Sequence, residues 1–182
     1  MKNSGMTDTS NCSETTDPRM SNSGALKVTA RGDREIVMTR VFDAPRTLVW
    51  DAFTKPELIQ RWLLGPDGWT MPVCQVGRKV GDKYRYVWRG PDGTEMGMGG
   101  VVREIVPPER IVTTEKFDQP WYHGEGVGTV ELVENNGKTT LTQTLLYESR
   151  EARDMVIKSA MEKGVAMSYD RLEKMLAAGV KR

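Results

Sequence analysis

The stretch VGTVELVENNGKTTLTQTLLYESR, residues 127–150, decides the fold, because it holds two strands, the turn between them and the start of a helix. Apolar and polar residues alternate on both sides of Asn135-Asn136-Gly137, and Asn-Gly between two alternating runs is a strong hairpin signal. The pattern predicts antiparallel strands over Val127–Glu134 and Lys138–Tyr147. Ser149 follows the second strand and is a favoured helix N-cap, so the hairpin is expected to lead directly into a helix.

A long amphipathic helix is predicted from Arg150 to Ala178, before Gly179, the favoured residue type just beyond a helix C-terminus. Its apolar residues recur at helical spacing and form one stripe: Met161, Val165, Ser168 or Tyr169, Leu172, and Met175 or Leu176. A sheet with one apolar face needs a partner of this kind. We therefore expect the helix to pack across the concave face of the sheet.

The residues before this stretch also alternate in short runs separated by turn residues, which is typical of further strands. These runs are Glu35–Phe42, Trp69–Val76, Lys83–Arg89, Thr94–Val106 and Arg110–Phe117. Two short helices follow the first strand, one from Pro45 to Thr54 and one from Pro56 to Leu63 or Leu64, before Gly65-Pro66. The sequence thus predicts an α+β fold with a curved, seven-strand antiparallel sheet.

The amino-acid composition of the N-terminal part of the chain differs from that of the rest and indicates a tail before a folded domain. Ser, Thr, Asn, Asp and Gly dominate the first part of the chain, which has too few large apolar residues to offset the loss of chain entropy on folding. We predict a disordered tail over residues 1–33 and a single domain over residues 34–179.

The charge balance disfavours polyanionic partners. The chain has 26 Lys and Arg against 25 Asp and Glu, so its net charge of +1 creates no field that would attract nucleic acid or an anionic membrane. No apolar run is long enough to span a bilayer, and no secretory signal precedes the domain. Cys12 and Cys74 lie far apart and outside any CxxC spacing. These features predict a cytoplasmic protein that binds neither nucleic acid nor membranes.

Five segments resemble a known family. They are TRVFDAPRTLVWDAFTKPELIQRWL at residues 39–63, VGRKVGDKYRYVWRGPDGTE at 76–95, VREIVPPERIVTTEKFD at 102–118, GKTTLTQTLLY at 137–147 and MEKGVAMSYDRLEKML at 161–176. They are similar to the homologues of the activator of the heat-shock protein 90 ATPase. The resemblance implies the helix-grip fold of SRPBCC, START-like and birch-pollen-allergen-like proteins, with a cavity between sheet and helix. It also implies a chaperone as a candidate partner, in a stress response.

Strand phase indicates which side chains face that helix. Tyr84, Tyr86 and Trp88 share one face of their strand, and Met96 and Met98 can join them from the next strand. Such a stripe packs as solid core in many proteins, whereas the resemblance favours a cavity for an apolar ligand with one polar handle. Both interpretations stay open. The predicted cavity residues are Trp62, Trp69, Tyr84, Tyr86, Trp88, Met96, Met98, Glu115, Phe117, Gln143, Met161, Gly164 and Val165.

Three of these residues have alternative roles. Trp62 and Trp69 flank the Gly65-Pro66 break, where they either gate the cavity or fasten the two short helices to the sheet. Gly164 interrupts the long helix at a cost of about 1 kcal/mol relative to Ala. Close approach to another backbone or room for a ligand would explain that glycine, and close packing is the prediction.

Candidates for catalysis are few. His123 is the only histidine, which excludes a zinc site built from several imidazoles, and neither a metal nor a cofactor is expected. Glu115 shares a strand face with apolar residues such as Phe117, where burial would raise its pKa. Cys74 is expected to be a small buried apolar residue rather than a nucleophile. Glu115 and His123 are therefore the only acid/base candidates, and both are weak.

Three functions are compatible with these observations. The favoured prediction is a protein that binds a small hydrophobic ligand without transforming it. A co-chaperone-like or regulatory interaction module is the first alternative. A cyclase or hydrolase that uses Glu115 or His123 as acid/base is the second. The sequence leaves open whether the protein is a monomer or a homodimer.

Overall fold

The computed structural model describes residues 24–179, in which one antiparallel sheet of eight strands meets four helices. The α+β class is therefore confirmed. In chain order the elements are β1 (Lys27–Arg31), β2 (Glu35–Phe42), α1 (Arg46–Thr54), α2 (Pro56–Trp62), β3 (Thr70–Gln75), β4 (Lys83–Arg89), β5 (Glu95–Val106), β6 (Arg110–Phe117), β7 (Gly126–Asn135), β8 (Lys138–Leu146), α3 (Arg150–Ile157) and α4 (Met161–Ala177).

The strand order in the sheet is β1-β2-β8-β7-β6-β5-β4-β3, so β2 lies beside the last strand of the chain. Successive strands from β3 to β8 are antiparallel neighbours, as the predicted meander requires. The β7–β8 hairpin turns at Asn136 and Gly137, whose φ values are 51° and 74°. Positive φ at two successive turn positions matches the twist of a two-residue hairpin, which confirms the prediction at Asn-Gly.

The eighth strand corrects two predictions, the count of seven strands and a tail that extends to residue 33. β1 pairs with β2 in the register Lys27↔Thr39 to Arg31↔Glu35. Its side chains are mostly exposed and few of them are apolar, so the composition of this segment is typical of a tail. Backbone hydrogen bonds to β2 and the packing of Leu26 and Val28 against the core order this segment. Most of the predicted tail, residues 1–23, lies outside the described residues.

The single long helix predicted from Arg150 to Ala178 is wrong, because residues 158–160 separate α3 from α4. Ser149 caps α3 as predicted, and its Oγ accepts a hydrogen bond from the Ala152 N–H at 3.1 Å. At the break, the Ser159 hydroxyl donates to the Val156 carbonyl at 2.6 Å and accepts from the Met161 N–H at 3.2 Å. A serine side chain that bonds to nearby backbone competes with the helix ladder.

The two C-terminal helices pack on one face of the sheet, which is called the inner face below. α3 places Ala152 and Val156 against Ile36 and Met38 of β2. The residues of the main cluster come from α1, α2, α4, the strands beneath and the turn after β2: Phe42, Ala44, Val49, Ala52, Leu58, Trp62, Leu132, Leu141, Tyr169, Leu172, Met175 and Leu176. In the described part of the chain, no helix has both the length and the apolar character needed to cross a bilayer.

A buried arginine, which the sequence analysis did not single out, fastens α4 to β2. Arg40 alternates with Met38 and Phe42 on the inner face and is itself buried. Its guanidinium pairs with Asp170 at 2.7 Å and with Glu173 at 2.5 Å, both on α4. Charge-assisted hydrogen bonds of this kind hold the helix at a defined position over the sheet.

Candidate ligand cavity

A cavity of about 560 Å³ lies between the inner face of the sheet and the helices α2 and α4. Ligand pockets for small molecules span about 300–1,000 Å³, so the volume suits one such molecule. Residues of β2, β4, β5, β6, β7 and β8 form the sheet side of the wall. The rest of the wall comes from α1, α2, α4, the break before α4 and the loops after α2, β3 and β6.

The aromatic side chains of β4 form the central part of the wall. Tyr84, Tyr86 and Trp88 follow one another along the strand, with ring centroids 5.2 Å and 5.9 Å apart. The Tyr84 hydroxyl donates to the Thr114 carbonyl at 2.8 Å, and Trp88 Nε1 donates to the Leu63 carbonyl at 2.6 Å. These bonds satisfy the polar atoms of both residues, so the rings present apolar surface to the cavity.

Two methionines extend this surface onto β5. Met96 lies opposite Trp88 and Met98 lies opposite Tyr86 in the β4–β5 register, and both line the cavity. Met98 also faces Phe117 of β6, another wall residue. Met96 is 37% exposed, which places it at the rim. Unbranched thioether side chains adapt to ligands of different shape.

Glu115 brings a carboxyl group to the wall from β6. It pairs with Gly126 of β7, where an added Cβ would lie 3.3 Å from the Glu115 Cγ, so a glycine leaves room for this side chain. Among the described residues, none forms a hydrogen bond or an ion pair with the Glu115 carboxyl. Burial without a compensating partner raises the pKa of Glu115 to about 7.

Three tyrosines surround this carboxyl. Burial, and then the charge of Glu115, raise the pKa values of Tyr84, Tyr122 and Tyr147. Tyr122 is only 4% exposed, and its hydroxyl has no hydrogen-bond partner among the described residues. Its ring stacks edge to face on Tyr147 with centroids 5.2 Å apart. Of these groups, the Glu115 carboxyl and Tyr84 lie on the cavity wall, whereas Tyr122 and Tyr147 lie outside it.

The helical side of the wall includes the break between α3 and α4. Ser159 and Ala160 of the break and Met161, Gly164, Val165, Ser168 and Tyr169 of α4 all line the cavity. An added Cβ at Gly164 would have no atom within 4 Å. The prediction that close packing explains Gly164 is therefore wrong, because this glycine faces open space.

The two tryptophans near Gly65-Pro66 differ in role. Trp62 lies on the wall but is 2% exposed, and its Nε1 donates to the Ala52 carbonyl at 2.9 Å. It fastens α2 to α1 and to the core and is not placed to gate the cavity. Trp69 also lines the cavity and packs partly buried against the cluster of Ile59, Met71 and Trp88.

All the cavity residues predicted from the sequence lie on this wall, whereas His123 does not. His123 is exposed in the loop between β6 and β7. Cys74 is half-buried, and burial, together with the charge of Glu57, raises the pKa of its thiol to about 11, which disfavours the thiolate. Within residues 24–179 no cluster of three or more His, Cys, Asp or Glu side chains is placed to hold a metal ion.

Sequence reasoning missed several wall residues. Ile111 and Thr113 share the strand face of Glu115, so the phase that selected Glu115 could have found them. Trp121 lines the cavity from an irregular loop, where no periodicity indicates direction. Ser159 and Ala160 reach the wall because of a helix break that the helical pattern did not reveal.

Comparison with solved structures gives close matches in fold. A protein from Rhodobacter sphaeroides is 33% identical, with a TM-score of 0.80 over 85% of this chain and 99% of its own. A protein from Mycobacterium smegmatis has a TM-score of 0.75 at 20% identity, over 85% of this chain and 99% of its own. The AHSA1 protein from Silicibacter pomeroyi has a TM-score of 0.65 at 18% identity, over 79% of this chain and 98% of its own.

A comparison with curated proteins returns no match. The family model described as "Activator of Hsp90 ATPase homolog 1-like protein" matches residues 43–177, from the turn after β2 to the end of α4. This range is more than half of the chain and contains nearly all the residues that form the cavity. The protein therefore belongs to the family of activator of Hsp90 ATPase homolog 1-like proteins.

Proposed function

We propose that the protein binds one small, largely apolar molecule in the cavity between the sheet and α4. The observation that carries this proposal is a cavity of about 560 Å³ whose wall is mainly aromatic and aliphatic. Apolar surface of this extent is costly to leave in contact with water. A molecule that fills the space would remove that cost.

The rigidity of the wall supports this proposal. Tyr84, Trp88 and Trp62 are each held by a hydrogen bond to a backbone carbonyl, and Tyr169 donates to Gln143 Oε1 at 2.7 Å. Side chains that are fixed before the ligand arrives lose little entropy when it binds. The same bonds disfavour collapse of these side chains into the empty space.

Two substitutions at Gly164 test the proposal. Gly164 belongs to the helical face of Met161, Val165 and Ser168 that lines the cavity, so a phenylalanine at this position is expected to fill part of it. Binding of the fluorescent probe N-phenyl-1-naphthylamine should weaken at least tenfold in Gly164→Phe and remain unchanged in Gly164→Ala. Native mass spectrometry of freshly purified protein should show a bound molecule in the unmodified chain and in Gly164→Ala, but not in Gly164→Phe. Equal probe affinity in both variants would contradict the proposal.

An acid/base enzyme is the second candidate, and the observation that favours it is Glu115. A carboxyl group in an apolar cavity with a pKa of about 7 can both donate and accept a proton at neutral pH. The test incubates any molecule recovered from the purified protein with native protein and with Glu115→Gln, and follows its chromatographic retention and mass. Conversion that requires Glu115 would favour a cyclase or hydrolase over a binding protein. His123, exposed and outside the wall, has no part in this candidate.

A chaperone partner is proposed on the family description alone. If it applies here, the purified protein should bind heat-shock protein 90 and increase its ATPase rate. Unchanged ATPase activity over a range of protein concentrations would argue against it. The cytoplasmic setting, and the choice between monomer and homodimer, also stay predictions.

A further inference from the structure

Within the described residues, the cavity wall carries one carboxyl group and no basic side chain. Glu115 is the only wall residue with a carboxyl group, and no Lys, Arg or His of the described chain lies on the wall. The other polar wall residues are neutral: Thr54, Thr113, Gln143, Ser159 and Ser168, besides the tyrosines. An anionic ligand would find no counter-ion in this cavity and would be repelled by Glu115.

Glu115 has no counter-ion among residues 24–179. The ionisable groups close enough to interact with it are the phenols of Tyr84, Tyr122 and Tyr147, which approach from β4, from the loop before β7 and from the end of β8. No basic side chain in the described part of the chain pairs with its carboxyl. A buried carboxylate of this kind is costly unless a cation or a hydrogen-bond donor joins it. The missing partner can come from the ligand.

Aromatic rings surround the same end of the cavity. Tyr84 interacts with Glu115, and Phe117 is two residues farther along the same face of β6. Trp121 packs on Phe117 with ring centroids 4.8 Å apart, and both line the cavity. Ring faces attract cations, and this attraction is strongest where water is excluded. A carboxylate bordered by aromatic rings therefore suits an ammonium group better than a neutral polar group.

Resting on the proposed function, we propose that the ligand is a hydrophobic amine whose protonated nitrogen pairs with Glu115 while its apolar body lies along the aromatic wall. The nitrogen occupies the end of the cavity near Glu115, Tyr84 and Phe117. The body extends past Tyr86 and Trp88 toward α2 and α4. The ammonium group supplies the charge partner that the described part of the chain does not provide.

Isothermal titration calorimetry at pH 7 with octylamine, 1-octanol and octanoate tests this proposal, because the three probes each contain eight carbons and differ in the charge of their head groups. We expect octylamine to bind at least tenfold more tightly than octanol, and octanoate to bind most weakly. Glu115→Gln should reduce the octylamine affinity to that of octanol and leave octanol unchanged. Glu151→Gln removes the same charge from an exposed position on α3, outside the wall, and should change none of the three.

A second measurement needs no variant. At pH 7 part of the native protein has Glu115 protonated, so pairing with an ammonium group should release protons to the buffer, whereas octanol should release none. Titrations in buffers of different ionisation enthalpy report this release. If octanol binds as tightly as octylamine and no proton is released, the amine proposal fails while ligand binding stands. If neither probe binds, both proposals fail.

Discussion

At the residue scale, the tyrosine hydroxyls around Glu115 differ in whether they have a partner. Tyr84 donates to the Thr114 carbonyl at 2.8 Å, whereas the buried Tyr122 hydroxyl has no partner among the described residues. An unsatisfied buried hydroxyl costs free energy, and a satisfied one contributes. The same chemical change, Tyr to Phe, should therefore have opposite effects at these two positions.

We predict that Tyr122→Phe raises the free energy of unfolding by about 1 kcal/mol, because it removes an unpaired polar group. Tyr84→Phe should lower it by about 1 kcal/mol, because the buried Thr114 carbonyl loses a donor. Urea unfolding followed by tryptophan fluorescence measures both. A loss of stability in Tyr122→Phe equal to that in Tyr84→Phe would show that the Tyr122 hydroxyl has a hydrogen-bond partner after all.

The raised pKa of Glu115 leads to a second prediction, which concerns how the free energy of unfolding changes with pH. Burial raises this pKa from 4.5 to about 7 in the folded protein, so between these pH values the folded state binds more protons than the unfolded state. The stabilisation from the protonated carboxyl is complete below about pH 4.5 and is lost as pH rises through 7. Across this window it is on the order of 3 kcal/mol.

Glu115→Gln cannot titrate and should lack this fall in stability. The difference in unfolding free energy between the variant and the native protein should therefore grow from pH 5 to pH 8. Tyr84, Tyr122 and Tyr147 do not contribute, because burial raises their pKa values above the usual range for phenols. Parallel stability curves for variant and native protein would show that the carboxyl is solvated in the folded state.

At the scale of the elements, α4 contains a glycine, Gly164, at a position that does not require the backbone freedom of glycine. Gly164 is the fourth residue of the helix and is not among the glycines with positive φ. An added Cβ would meet no atom within 4 Å. We predict that Gly164→Ala raises the free energy of unfolding by about 1 kcal/mol through helix propensity. Chemical denaturation measures this, and a destabilised alanine variant would indicate a close neighbour at this position.

The elements also show which parts of the fold could be predicted from the sequence. The strands from β2 to β8 follow from alternation and from turn residues, because each of these patterns is local. β1 was not predicted, because its order comes from pairing with β2 rather than from its own apolar residues. The break between α3 and α4 was missed because the side-chain bonds of Ser159 leave no trace in hydrophobic periodicity.

The candidate site, too, could be predicted from the sequence only in part. Strand phase placed Tyr84, Tyr86, Trp88 and Glu115 on one wall, because residues two apart on a strand share a face. It could not show that the space between the wall and α4 is open, since that depends on how far the helix stands from the sheet. Tyr122 was not predicted either, because it reaches Glu115 from an irregular loop.

At the scale of the whole molecule, stability and binding are coupled through the cavity. Ile36, Met38 and Leu145 pack with α3, whereas Trp62 and Leu141 belong to the cluster beneath α4. Residues of both packed regions face the cavity, since Met38, Leu145 and Trp62 all lie on its wall. A ligand that contacts residues of both packed regions adds packing where the protein alone has none, so it should stabilise the fold by mass action.

The break at residues 158–160 is where this coupling should be most visible. Its residues Ser159 and Ala160 line the cavity, and the N-cap residue of α4 is Ala160, whose side chain cannot cap the helix. Amides with few packed neighbours exchange through local opening that costs little free energy. We predict fast hydrogen–deuterium exchange at residues 158–161 in the free protein.

Saturating 1-octylamine or any probe that occupies the cavity should slow exchange at residues 158–161 at least tenfold, because the ligand packs against Ser159, Ala160 and Met161. The β1–β2 hairpin at Gly32 lies outside the wall and serves as the internal control, so its exchange should change only with global stability. Gly164→Phe should slow exchange at the break without any ligand, since the new ring occupies the same space. Uniform protection over both regions would mean that the ligand acts on global unfolding and that the break moves together with the rest of the fold.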